Sequence, residues 1–287
     1  MNQRSGIQHL SLFFLVTFAF TWLICLPGVL STLGLFQLPI PITPLVAIAQ
    51  WGPSLTAFLL VYRDNGRAGV EELAKRALKI PRPLRWLAPT VLLPLVLAGS
   101  AICFNLLGGG QLPPLQLLSQ PALVPFTFVF IFFFQGPVPE EFGWRGYALD
   151  RLQEKWNALI SSVLLGTLWA IWHLPLFFMG YLSFLPFLPY LAYVVASTIL
   201  ITWLYNNTSG NLLVAMLFHA MSNLSIQVFP VVSGVDQSAF IYLAILHMIA
   251  AAFVVLVWGP HKMKRHRDRE QRTGHVSLPT KMQPSSV

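Results

Sequence analysis

Chemistry in this sequence gathers at a few polar side chains set in apolar surroundings. Glu140 and Glu141 stand side by side directly after the apolar run 124–134, in a chain with only 10 acidic residues among 287. Ionisable groups at membrane depth are costly and generally functional. On a helix, Glu141 and Arg145 stand four apart with the acid first, the favourable order for an ion pair. Glu140 points about 100° away and has no local partner, so a remote one is sought. His173 lies in a second apolar run, and His219 and Asn223, four apart in a third, share one face of a helix turn. A single histidine in such a run is ordinarily a satisfied interhelical hydrogen bonder, and His247 is read that way. Pro139 and the two glutamates would equally suit the N-terminus of an interfacial helix. Taken together, Glu140, His173, His219 and Asn223 supply an acid or base, two imidazoles and an amide donor, which suffice for water-activated hydrolysis of an amide.

The elements that must position these groups are membrane helices. Hydrophobic residues make up 55% of the chain and charged residues 10%, against roughly 25% charged in soluble domains, and the mean hydropathy is +0.66. These values predict an all-α polytopic membrane protein. A helix crosses the hydrocarbon with about 20 residues, which places eight spans near 10–33, 43–62, 86–108, 121–137, 158–180, 185–205, 211–230 and 239–259. The first run is too long for a signal-peptide core and lacks a small-residue cleavage site. Pro121, Pro125, Pro137 and Pro139 punctuate the fourth. Lys and Arg collect in the loop 63–85, in the loop 145–155 and after residue 260, whereas the loops 34–42, 109–120, 181–184 and 231–238 hold none. Both termini are therefore expected in the cytoplasm.

The net charge of +8 suits anionic lipid headgroups, and no nucleic-acid partner is expected. Cys25 and Cys103 lie inside apolar runs and read as buried small hydrophobes. Residues 1–260 form the expected transmembrane domain, and 261–287 a basic tail expected to be disordered.

In order on separate spans, Glu140-Glu141-x-x-x-Arg145, Trp169-x-x-x-His173 and His219-x-x-x-Asn223 resemble the motifs of the CAAX-processing and bacteriocin-processing (abortive-infection) family of intramembrane endopeptidases, which includes type II CAAX prenyl endopeptidases. The resemblance covers roughly 44–227, including Gly52-Pro53-Ser54 and the basic segment 76–86. Trp169 stands where the family usually has Phe. The resemblance implies a protease domain of about eight transmembrane helices, its site in the bundle interior and opening to the cytoplasm. It further implies that Glu140 with His173 activates the attacking water, that His219 and Asn223 stabilise the oxyanion, and that Glu141 and Arg145 support them. Part of the family's naming assumes a metalloprotease, and Glu140, His173 and His219 would fill three positions of a catalytic zinc site. The His-Glu-x-x-His helix of soluble zinc proteases is absent. A metal-free glutamate mechanism uses the same residues and is favoured, because Asn223 sits where an amide donor is more useful than a ligand.

The implied substrate is a membrane-associated peptide or protein, prenylated at a CAAX motif or bacteriocin-like. It would be met at a prokaryotic plasma membrane, since the chain has no long extramembrane domain. Two alternatives stand beside this one: a catalytically idle bacteriocin-immunity or scaffold protein of the same fold, and a small-solute transporter. The transporter is disfavoured by the lack of paired Gly/Pro-broken helices in matching halves. Depth poses a problem: from a start near Ala158, His173 is about 22 Å into its span, and from a start near Asn211, His219 is about 12 Å into its own. A shared site therefore requires a tilted span or a helix that starts inward of the interface.

Overall fold

The computed structural model describes residues 3–232 and 237–264, with the backbone alone for residues 3–8. Chain inside hydrocarbon must satisfy its own backbone hydrogen bonds, and the apolar runs accordingly coil. The helices are α1 (Gln3–Thr32), α2 (Thr43–Ala49), α3 (Gly52–Leu78), α4 (Leu87–Leu107), α5 (Gln116–Ser119), α6 (Leu123–Phe134), α7 (Pro137–Gly143), α8 (Asp150–Gln153), α9 (Ala158–Trp172), α10 (Leu174–Phe178), α11 (Phe187–Asn207), α12 (Leu212–Val228) and α13 (Ser238–Trp258). A 3-10 turn, Leu84–Trp86, leads into α4, and a π-helical stretch, Trp144–Leu149, joins α7 to α8. Among the described residues there is no strand. Among the described residues, seven segments are long and apolar enough to cross a membrane, and Leu212–Val228 is a shorter apolar helix beside them. This is the polytopic all-α architecture expected from composition.

Helix α11 lies between α9 and α13, and α12 packs on α4, α6, α7 and α11. Toward the end that carries the basic loops, Trp203 stacks edge-on against Trp86 at 5.1 Å and Trp258 at 5.0 Å. There too Arg76 bonds the Asp150 carboxylate at 2.9 Å and the Tyr205 hydroxyl, tying α3 to α8 and α11. Helix α7 crosses α3 at close range: a Cβ on Gly143 would fall 2.5 Å from the Pro53 backbone. The Ser54 hydroxyl donates to the Val138 carbonyl across the same crossing, at 3.0 Å.

Four expectations are corrected. Residues 63–78, read as loop, continue α3 past a break at Gly66 (φ 61°). Glu71 pairs there with Arg67 at 2.9 Å and Lys75 at 3.7 Å, supporting helix at i,i+4 spacing. The fourth span does not stop at 137 but runs Leu123–Gln153, which makes Arg145 a fully buried side chain rather than a loop cation. Cys25 is buried as expected, whereas Cys103 is exposed on the flank of α4. Finally, His261–Lys264 is docked rather than loose: the His261 carbonyl accepts from Ala158 N–H at 2.8 Å and the Met263 carbonyl from Asn207 at 2.6 Å. The rest of the tail, 265–287, lies outside the described residues.

Candidate functional site: an acid and imidazole chamber

Helix α6 ends at Phe134, and the chain turns through Gly136 at φ 106° before α7 begins. Pro137 and Pro139 occupy the first turn of α7, where the missing N–H groups cost nothing. The turn delivers Glu140 to the bundle interior, 5% exposed, with Glu141 fully buried beside it. Neither carboxylate lies on the protein surface, because α7 packs on α3 and α12.

The Glu140 carboxylate does have a local partner. Its Oε2 accepts the indole N–H of Trp144 at 3.3 Å, one helical turn on, and that of Trp169 at 2.7 Å from α9. Trp169, expected to be only an aromatic substitute, is thus a donor to the acid, which no phenylalanine can be. The spacing from Glu140 to Trp144 is visible in the sequence and was the available signal. A Cβ placed on Gly136 would stand 3.1 Å from Glu140 Oε1 and 2.8 Å from His219 Nε2, so acid and imidazole face one small space that only glycine leaves open.

Glu141 does more than pair with Arg145. Its Oε1 accepts from the Arg145 guanidinium at 2.8 Å and from His219 Nδ1, also at 2.8 Å. Arg145 in turn donates to Thr198 at 3.2 Å and lies 4.4 Å over the Trp169 ring. With Nδ1 donating to a carboxylate, His219 presents Nε2 toward Glu140. His173 closes α9 and donates Nδ1–H to the Trp169 carbonyl at 2.8 Å, which leaves Nε2 as the acceptor nitrogen of the neutral ring. The rings of Trp172 and Tyr190 hold it edge-on at 4.7 and 5.6 Å. Asn223 spends one amide hydrogen on the Gln135 carbonyl at 2.8 Å. His247 differs from the satisfied interhelical bonder expected: its Nδ1 bonds the Leu243 carbonyl of its own helix at 2.9 Å, its ring abuts Tyr193, and its buried Nε2 has no hydrogen-bond partner among the described residues.

Glu140, His173, His219 and Asn223 line one chamber of about 430 Å³. The depth problem resolves at α12. Its N-cap, Asn211, is buried, accepting from Val214 N–H at 3.1 Å and donating to the Lys79 carbonyl at 2.8 Å. Packing of this 17-residue helix brings His219 into the same chamber as His173, at the end of α9. Among the described residues, no three of His, Cys, Asp and Glu converge so as to hold a metal ion. The zinc set envisaged for Glu140, His173 and His219 does not fit this geometry, and no step below passes through a metal. Exposed residues of the chamber wall include Thr43, Ala47, Phe130, Phe134, Phe184 and Gln227.

Fold and chamber together define a polytopic helical membrane protein with a buried acid facing two imidazoles. Residues 121–225 match the family described as type II CAAX prenyl endopeptidase Rce1-like. It is similar to CAAX prenyl protease 2 of Methanococcus maripaludis, 27% identical over 124 residues, which are 40% of this chain and 45% of that protein. The match thus spans less than half the length of this relative.

Proposed function

We propose that the chain is an intramembrane endopeptidase that hydrolyses a peptide bond in a membrane-associated substrate. The observation that carries this reading is the convergence of Glu140, His173, His219 and Asn223, from three separate stretches of sequence, on one chamber. Water enters between the acid and the substrate. Its oxygen adds to the carbonyl carbon while its proton passes to Glu140 or to His173 Nε2. The oxyanion so formed is met by the remaining N–H of Asn223 and by Nε2–H of His219 in its protonated form, the Nδ1–H being committed to Glu141. When the carbon–nitrogen bond breaks, the stored proton goes to the leaving amine. The two indoles hold Glu140 in one rotamer, which spares the reaction the cost of orienting its base. The relative's name supports a processing protease, and a prenylated CAAX terminus or a bacteriocin-like precursor is the substrate class that this likeness suggests.

The test is Glu140→Gln. The amide oxygen keeps accepting from Trp169, so folding should be unchanged, whereas hydrolysis should fall by about 10²–10⁴, the usual worth of a positioned acid or base. Cleavage of a lipid-anchored fluorogenic peptide by the purified, correctly melting variant measures it. Undiminished turnover would sink the proposal and favour a catalytically idle immunity or scaffold protein.

A further inference from the structure

Three membrane helices end together at the basic end of the bundle. After α13 the chain runs back over its neighbours. At the start of α9, the Ala158 and Leu159 N–H groups donate to the His261 and Pro260 carbonyls at 2.8 and 3.0 Å. At the end of α11, Asn206 and Asn207 donate to the Lys262 and Met263 carbonyls at 3.0 and 2.6 Å. Met263 itself is fully buried. Four successive carbonyls are thus tied, which fixes where the side chains of 261–264 emerge.

They emerge at a second cavity, of about 500 Å³, whose wall includes Gln153, Lys155, Trp156, Lys262 and Lys264. Among the described residues, none of these three lysines pairs with a carboxylate. Lys155 lies 4.9 Å over the Trp156 ring. Two carboxylates also reach the wall, Asp150 and Glu154, but Asp150 is matched by Arg76 at 2.9 Å, so cations are in excess. Gln153 and Asn206 clasp each other's amides at 2.8 and 3.2 Å, and Gln153 keeps a second N–H for an anion. The depth is that of a membrane interface: Trp86, Trp203 and Trp258 stack at this end and Trp156 is 38% exposed, as in the aromatic belts that mark headgroup level. On both helices that lead away from the cavity, the apolar side chains next to it are exposed: Ile160, Val163 and Leu164 on α9, and Phe253, Leu256 and Val257 on α13.

We propose that this recess binds the phosphodiester headgroup of an anionic phospholipid, whose acyl chains lie along α9 and α13. Lys155, Lys262 and Lys264 supply the charge and Gln153 a neutral donor. The apolar flanks favour a lipid over a free phosphate, which has nothing to lay against them. The recess shares no lining residue with the chamber, and its binding does not depend on the endopeptidase reading.

The probe is phosphatidylglycerol, titrated into the full-length protein in a neutral maltoside detergent, with bound lipid counted by native mass spectrometry and melting followed in parallel. Phosphatidylglycerol should bind and raise the melting temperature, whereas phosphatidylcholine, whose choline cancels the phosphate charge, should do neither. Lys155→Gln, Lys262→Gln and Lys264→Gln together should weaken phosphatidylglycerol binding by about 10²-fold, since each Lys near anionic lipid contributes about fivefold. Lys75→Gln, Lys79→Gln and Arg85→Gln, which remove as much charge from the same end but outside the recess, should leave binding intact. Equal loss in the two triple variants would overturn the proposal in favour of diffuse surface charge. Protection by inorganic phosphate equal to that by phosphatidylglycerol would overturn the lipid as ligand. Wild-type protein irradiated with phosphatidylglycerol bearing a headgroup diazirine gives a readout that needs no variant to fold. Crosslinks should fall in 153–157 and 260–264, and crosslinks confined to other segments would overturn the site.

Discussion

Gly136 governs the free space of the site, although it carries no chemistry. At φ 106° a residue with a side chain is strained, at a cost of about 1–3 kcal/mol. Its Cβ would also press on His219 Nε2 at 2.8 Å. Gly136→Ala should therefore lower the melting temperature and reduce hydrolysis by about 10² beyond the folded fraction lost, since small misplacements of reacting groups cost that much. Peptide cleavage normalised to folded protein measures it. Glu141 poses a different test, because it is fully buried and holds both Arg145 and His219. Glu141→Gln leaves the buried guanidinium without its counter-charge, and breaking such a pair typically costs about 3–5 kcal/mol. A large drop in melting temperature is expected, and an unchanged melt would show that the pair is not needed for the fold.

Among the elements, α12 decides whether the histidines meet. It begins at a buried cap, and Asn211 makes that start possible by satisfying Val214 N–H and the Lys79 carbonyl. Asn211→Ala should cost about 1 kcal/mol through the lost cap. Faster hydrogen exchange confined to the first turn of α12, with partial loss of activity, is the expected observation. The sequence announces such a cap by residue type alone. It does not say that Asn211 lies inside the bundle, because that depends on Lys79, more than a hundred residues earlier.

For the whole molecule, the basic end is a clamp. Arg76 reaches Asp150, Tyr205 and the Gly146 carbonyl, linking α3 to the π-helical stretch, α8 and α11. Arg76→Met should destabilise the protein by about 2 kcal/mol, in the range for hydrogen bonds to charged groups. Turnover per folded molecule should stay the same, because none of the clamp residues lines the chamber. Thermal melting and cleavage on one preparation separate the two effects.

The sequence by itself determined the solvent, the helical class and the residue types of the site. Hydropathy and loop charge are local and additive, and motif spacing keeps Glu141 near Arg145 and His219 near Asn223 on any helix. Tertiary structure alone decided the rest. That Trp169 donates to Glu140, that Glu141 holds His219, and that Gly136 clears the space between acid and imidazole all require separate helices at a fixed depth and rotation. Those are set by packing, such as the close passage of Gly143 over Pro53, and no periodicity within one span encodes them. That the four polar side chains share one chamber was likewise beyond the sequence, since loop charge says nothing of where between the helices a space remains.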